Sequence, residues 1–405
     1  MRERRNRAVA NLKAARMLRM TDLPLAGRRV LIREDLNVPI KDGEVASDAR
    51  LAAALPTVNC ALEQGARVIL LSHLGRPEEG RFDESFSLEP VARRLGELLH
   101  RPVPLVKSWE RGVEVEPGQS ALLENVRFER GEKTDDPELA ARLAGLCDIF
   151  VMDAFGAAHR AHASTHGVAR LAPVACAGPL LVKELESLAT GLEQPCEPIV
   201  AIVGGSKIST KLGVLEKLVD TVDTIIPGGG IANTLLAAAG YPVGRSLHEP
   251  GMLRSARRLM RRRIGDAHID LPFDVVVAEA LGVPGRRTVR EATQVGRNEM
   301  IFDIGPRAIE SYELDLHYAG TILWNGPVGV FEQSEFAHGT EAIARAVAAS
   351  DAFSIAGGGE TLAAIQQFGV GEGISYQSTG GGAFLEILEG KELPAVAVLE
   401  ARASV

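Results

Sequence analysis

Two doubly wound α/β domains, each built on a parallel sheet and joined by a hinge helix, are predicted for this chain by three observations. Its 405 residues exceed what one ordinary core holds, at roughly 100 to 200 residues per domain. Short β-branched runs alternate with longer amphipathic stretches, the pattern of strand–helix–strand units around a buried parallel sheet. The ends of these runs change character midway: every adjacent glycine pair lies after residue 200, whereas earlier runs end in cationic groups. Such Rossmann-like halves bind ligands beyond the carboxyl ends of their strands, so the change implies two kinds of anion site.

The first series of strands is expected at 29–32, 67–71, 121–123 and 149–152, and the second at 199–203, 224–226, 274–277, 321–323 and 353–356. Between them Leu181, Leu185, Leu188 and Leu192 recur at helical spacing, and the helix is expected to stop at Gly191 before Pro195 and Pro198. This is the predicted connector between domains at 20–182 and 183–391. Residues 1–19 are rich in arginine, with Glu3 their only acid, and read as a disordered basic extension or an overlong start. Six arginines between Arg254 and Arg263 accompany an apolar helical stripe at Leu253, Ala256, Leu259 and Met260, which reads as a solvated helix face.

Hydrophobic residues make up 46% of the chain and charged residues 24%, the composition of a globular protein, and no apolar run approaches the roughly 18 residues of a membrane span. A net charge of −8 argues against a nucleic-acid partner at the surface at large. Cys60, Cys147, Cys176 and Cys196 show no CxxC or zinc spacing, so reduced, mostly buried thiols and a cytoplasmic setting are expected.

In the first half Arg33, Asp35, Asn37, Arg50, His73, Arg76, Arg127 and Arg160 mostly follow predicted strands and can converge on one crevice. Guanidiniums suit a phosphate, and Asp35 and Asn37 suit hydroxyl groups, so a small phosphorylated, carboxylate-bearing molecule fits. His159, His162 and His166 have metal-like spacing, but Arg160 opposes a cation and no neighbouring carboxylate completes a set, so an anion-binding loop is expected. In the second half Gly204, Gly205, Lys207 and Lys211 occupy a strand-to-helix turn without Walker A spacing, and the two lysines are expected on one helix face. Gly357, Gly358 and Gly359 precede Glu360 and Thr361 at a helix start, a setting for phosphate oxygens and a magnesium-side carboxylate. Asn325 and Glu332 lie in a further turn, where the carboxylate suits ribose hydroxyls.

Together these stretches resemble the phosphoglycerate kinase family from about Met20 onward. The matching segments are REDLNVP at 33–39, SDAR at 47–50, SHLGRP at 72–77, ENVRF at 124–128 and DAFGAAHRAHAST at 153–165. They continue with VGGSKISTK at 203–211, WNGPVGVFE at 324–332, AGGGET at 356–361 and STGGGAFLE at 378–386. The resemblance implies 3-phosphoglycerate or 1,3-bisphosphoglycerate on Arg33, Asp35, Asn37, Arg50, His73, Arg76, Arg127 and Arg160. It implies MgADP or MgATP on Lys207, Lys211, Asn325, Glu332 and 357–361, with Mg²⁺ near Glu360. Hinge closure, a monomeric state and packing of 392–405 back on the first domain follow in the same way. The family pattern carries Asp where this chain has Glu360, which keeps the charge and adds a methylene.

The expected reaction is reversible phosphoryl transfer to a carboxylate that is already ionised at neutral pH, so no general base is needed. Arg50 and Lys207 are expected at the transferring group. An NAD-dependent oxidoreductase would require GxGxxG with an acid about 20 residues on, and neither GGSK nor GGGE fits. A non-catalytic ligand-binding scaffold rests on Glu360 alone.

Overall fold

The computed structural model describes residues 17–193, 195–261, 267–282 and 287–403. Residues 1–16 of the basic extension and 262–263 of the arginine-rich stretch lie outside them. Two compact units divide the chain: 187–391 form one, while the other runs up to Glu186 and resumes at Glu392.

The first domain carries β1 (Arg29–Arg33), β2 (Ile40–Lys41), β3 (Glu44–Val45), β4 (Arg67–Leu71), β5 (Leu105–Val106), β6 (Ser120–Leu123), β7 (Ile149–Met152) and β8 (Val174–Ala177). Six of these form a parallel sheet in the order β5-β6-β4-β1-β7-β8, while β2 and β3 make a separate hairpin. Val30, Ile32, Val68, Leu70 and Val151 pack from one face of the sheet against Leu51, Val58 and Leu95 of its helices. Burial on both faces explains why the strands read as continuous apolar runs. Sheet growth reverses direction at β1, which places a topological switch point beside its carboxyl end.

The second domain carries β9 (Ile199–Val203), β10 (Thr224–Pro227), β11 (His268–Ile269), β12 (Asp274–Ala278), β13 (Thr288–Glu291), β14 (Met300–Ile304), β15 (Thr321–Asn325), β16 (Phe353–Gly357) and β17 (Tyr376–Ser378). Its parallel sheet is ordered β11-β10-β9-β15-β16-β17, with the switch between β9 and β15. The strand expected at 274–277 does not join it. Strand β12 is instead the centre of an antiparallel sheet, β13-β12-β14. An all-apolar VVVA run fits either sheet, and its partner β13 is mostly exposed and polar. Asp274 opens β12 by accepting from the N–H groups of Arg307 (3.2 Å) and Ala308 (2.9 Å), which ties it to the start of the helix Pro306–Tyr318.

The leucine-spaced helix runs Pro179–Glu193, through Gly191 rather than ending there. A Cβ at Gly191 would press on the Ile355 and Phe353 side chains, so this glycine serves packing instead of termination. The unit boundary falls within the same helix. At the other end of the chain the helix Pro394–Ala403 lies on the first domain, with Ala395 N–H donating to Ala158 O at 3.2 Å and Arg402 to Ala172 O at 2.9 Å. All four cysteines are free: Cys147 and Cys176 are buried, Cys60 is half-buried, and Cys196 is exposed.

Two carboxyl groups lie deep under the end of β1. Asp153 accepts from Thr57 Oγ1 (2.5 Å) and from Leu181 N–H (2.9 Å), and burial pushes it up to about 6. Burial, and then the neighbouring Asp153, push Glu34 well above the usual carboxyl range. The folded chain therefore holds the Glu34 proton to higher pH than the unfolded chain does. Its contribution to stability is full at acid pH and is lost as pH rises toward its folded-state pKa. Glu34→Gln, neutral at every pH, is expected to gain on the parent chain in urea-unfolding free energy between pH 5 and pH 8. Parallel curves for the two proteins would show that Glu34 is already ionised in the fold.

Candidate active site

At the carboxyl edge of the first sheet a guanidinium is sealed inside the protein. Arg33 is 1% exposed. Its Nε donates to Ser164 Oγ (3.0 Å), one Nη donates to the Glu34 carbonyl, and the other to His73 Nδ1 (3.1 Å). Ser164 Oγ in turn donates to Glu132 Oε1 (2.6 Å), whose second oxygen takes Ser164 N–H (3.0 Å). Burial lowers the Arg33 pKa, with the nearby acids opposing that shift.

The other cations gather around it. Burial, followed by the fields of Arg33, Arg127, Arg160 and Arg50, holds His73 well below its ordinary pKa. A neutral His73 that accepts at Nδ1 carries its proton on Nε2. Arg127 donates to the Gly75 carbonyl and is brought down to about 10 by burial and by Arg160 and Arg33. Arg160 donates to His159 Nε2 (3.0 Å), and His159 falls to about 4 through burial and that same arginine. The more accessible Arg50 reaches Asp35 Oδ1 (2.8 Å) and the Asn37 carbonyl (2.9 Å), and Asn37 Oδ1 accepts from Gly75 N–H (2.8 Å). Arg76 alone of the set stands exposed, with no hydrogen bond or ion pair among the described residues.

The histidine loop does have carboxylates nearby, contrary to the sequence expectation. His166 Nδ1 lies 2.7 Å from Asp135, and His162 Nδ1 lies 3.6 Å from Glu132. They are distant in sequence, so a local reading could not find them. They serve two separate pairs, and no cluster of three or more metal-ligating side chains occurs among the described residues. Ser164 and Glu132, the supports of Arg33, were also missed: Ser164 stands within the matched DAFGAAHRAHAST segment, but Glu132 carries no local signal.

In the second domain, glycine loops after β9, β10 and β15 meet backbone to backbone. A Cβ on Gly204 would overlap Gly326 and Pro327, one on Gly228 would overlap Pro327 and Val328, and one on Gly230 would overlap Ser206. The triplet 228–230 is thus part of this assembly although sequence reasoning left it out of the site. Gly358, at φ 102°, turns the chain into the helix Gly359–Phe368. Asn325 Nδ2 donates to Gly357 O (2.7 Å), and Thr361 Oγ1 accepts from Gly326 N–H (2.7 Å), which locks this turn to the end of β15.

Lys207 and Lys211 do not share a helix face. Lys207 is extended and exposed ahead of a single 3-10 turn, Ile208–Thr210, and Lys211 precedes the helix Leu212–Leu218. The 3-10 turn replaces the α-helical spacing on which that expectation relied. Lys211 is mostly buried, and its ammonium donates to Gly204 O (2.6 Å), Asn325 O (3.1 Å) and Asn325 Oδ1. Burial pulls it down to about 8, while Glu360 opposes the shift. Glu249 fixes the same turn by accepting from Ser209 N–H (2.8 Å) and Oγ (2.7 Å). Glu332 and Glu360 are both exposed. A lone accessible carboxylate such as Glu360 fits a hard cation that takes its remaining oxygens from phosphates and water.

The sequence profile of phosphoglycerate kinase matches residues 20–391. A phosphoglycerate kinase from Nitratidesulfovibrio vulgaris is 58% identical over 389 residues, 96% of this chain and 99% of that protein. The solved phosphoglycerate kinase of Coxiella burnetii shares 54% identity at a TM-score of 0.89, covering 96% of this chain and all of that one. That of Pyrococcus horikoshii shares 33% identity at 0.84 with the same coverage. With two parallel-sheet domains, one edged by converging cations and the other by glycine loops, and with these relatives, the chain belongs to the phosphoglycerate kinase family.

Proposed function

We propose that the first domain holds 3-phosphoglycerate or 1,3-bisphosphoglycerate on Arg33, Asp35, Asn37, Arg50, His73, Arg76, Arg127 and Arg160. The second domain holds ADP or ATP on Lys207, Lys211, Asn325, Glu332 and 357–361. The observation that carries this reading is the excess of positive charge at the first sheet edge. Arg33, Arg127 and Arg160 donate to neutral oxygens and nitrogens, and Glu132 and Asp35 act on Arg33 and Arg127 only through their fields, so an anion there gains charge-assisted hydrogen bonds. His73 adds a neutral donor at Nε2.

Phosphoryl transfer to an ionised carboxylate needs orientation and charge stabilisation, which these residues supply. Arg50 exchanges Asp35 and the Asn37 carbonyl for the transferring group, and Lys207, exposed on its short turn, meets that group from the nucleotide side. A nucleotide phosphate takes over one of the three acceptors of Lys211, while the other two keep the loops after β9 and β15 together. When bound, Mg²⁺ near Glu360 neutralises the charge of the nucleotide phosphates. Domain closure excludes water from the acyl phosphate. The free thiols support a reducing, cytoplasmic setting, and a monomer suffices for every role assigned.

A coupled assay with ATP, Mg²⁺ and 3-phosphoglycerate tests the whole reading, and background activity would overturn it. Arg50→Ala is expected to lower kcat by roughly 100- to 1,000-fold with nucleotide affinity unchanged; near-normal turnover would remove Arg50 from the transfer step. Glu360→Ala is expected to raise the Mg²⁺ concentration for half-maximal rate by about 10- to 100-fold, and an unchanged metal dependence would exclude the carboxylate as a metal partner. Small-angle scattering with both substrates should show a smaller radius of gyration at monomer mass. A constant radius would count against closure.

A further inference from the structure

A cavity lies in the first domain, and none of the proposed site residues lines it. Its volume is about 610 Å³, the scale of a small-molecule site. One wall is aromatic: Phe82 is 54% exposed, and its ring stands 5.2 Å from that of Phe128. An apolar ring held this far out in water gains free energy from a ligand that covers it.

The rim is cationic. Lys107 and Arg130 are both exposed, and neither has an ion-pair partner among the described residues. Arg142 sits 5.5 Å from the Trp109 ring centroid and 3.4 Å from Glu129, so its charge is partly engaged. Arg81 reaches Glu78 only at 3.8 Å, in an exposed pair of little strength.

Two carboxylates also line the space and oppose an anion. Both oxygens of Glu124 are committed, to Ser87 Oγ and to the N–H groups of Leu88 and Asn125, all at 2.8 Å. Burial raises the Glu129 pKa and so weakens its hold on a negative charge. Four cations, Arg81, Lys107, Arg130 and Arg142, thus line the space against two carboxylates, beside an uncovered ring.

We propose that this cavity binds a small aromatic anion, a planar ring bearing a phosphate or carboxylate, with the ring against Phe82 and Phe128 and the charge on Lys107 and Arg130. A phosphate alone would leave the ring wall wet, and a neutral ring would leave the cations unpaired. The inference stands apart from the assignment of substrate residues.

Phenyl phosphate is a suitable probe, titrated by calorimetry into the full chain with 3-phosphoglycerate and MgADP saturating. Saturable binding about tenfold or more tighter than that of inorganic phosphate or phenol is expected. Trp109 and Trp324 are the only tryptophans, so in a Trp324→Phe background the Trp109 emission should follow the same isotherm. Lys107→Gln with Arg130→Gln, and separately Phe82→Ser, should each weaken binding about tenfold and leave basal turnover unchanged. The proposal fails if phenyl phosphate gives no saturable heat. It fails equally if inorganic phosphate binds as tightly, which would mark an adventitious anion site, or if the variants bind as the parent does.

Discussion

A guanidinium buried at the end of a strand must find an acceptor for every nitrogen, and much of the first domain's binding edge follows from how Arg33 does so. Its three partners come from Glu34 directly after β1, from His73 after β4 and from Ser164 in the segment that follows β7. The sheet places those segments side by side because β4 and β7 flank β1. Ser164 is fixed by the fully buried Glu132, so the arginine is oriented through two successive hydrogen bonds. Burial and then its charge lower the His73 pKa, and burial, Arg160 and Arg33 together lower that of Arg127. The cost of assembling like charges is therefore met when the chain folds, and the anion proposed for this edge would find its donors in place.

The second domain solves a related problem with backbone instead of guanidinium. Gly204, Gly228 and Gly230 permit three loops to touch where any side chain would overlap a neighbouring main chain. That changes the meaning of the glycines. The close approach that these three permit is between loops of the domain itself. Lys211 closes the assembly by donating to oxygens from both sides of the β9–β15 switch point. Among the clusters, 357–359 is the freer one: a Cβ at Gly359 would meet nothing nearby, and Glu360 beyond it is exposed.

The strands and the cationic chemistry at their ends were legible because parallel strands buried on both faces leave long apolar runs. Strand existence followed from those runs, but sheet membership did not: the apolar run of Asp274–Ala278 resembles those of the parallel strands, and its antiparallel partners lie elsewhere in the chain. The spacing of Lys207 and Lys211 misled for a similar reason, since the helix begins only after Lys211. Supports such as Glu132 and Asp135 were hidden because they act on residues about 30 positions away. Glu34 was overlooked inside a matched motif, its role visible only once Asp153 is seen beside it.

Burial also separates the site residues by what they can do. Arg33 and Arg127 are almost wholly enclosed, and Lys211 is mostly so, and moving any of them would strand partners in the interior. They hold position. Arg50, whose side chain is 34% exposed, and the exposed Lys207, Arg76 and Glu360 lose little by exchanging one polar partner for another, because water compensates on both sides. The residues proposed to meet the transferring phosphoryl group are thus the ones whose present contacts are cheapest to leave. Under the proposed function, the enclosed cations of each domain would supply a fixed field and the accessible ones the groups that rearrange, since transition-state charge stabilisation needs donors already in place as well as donors that reach the reacting group.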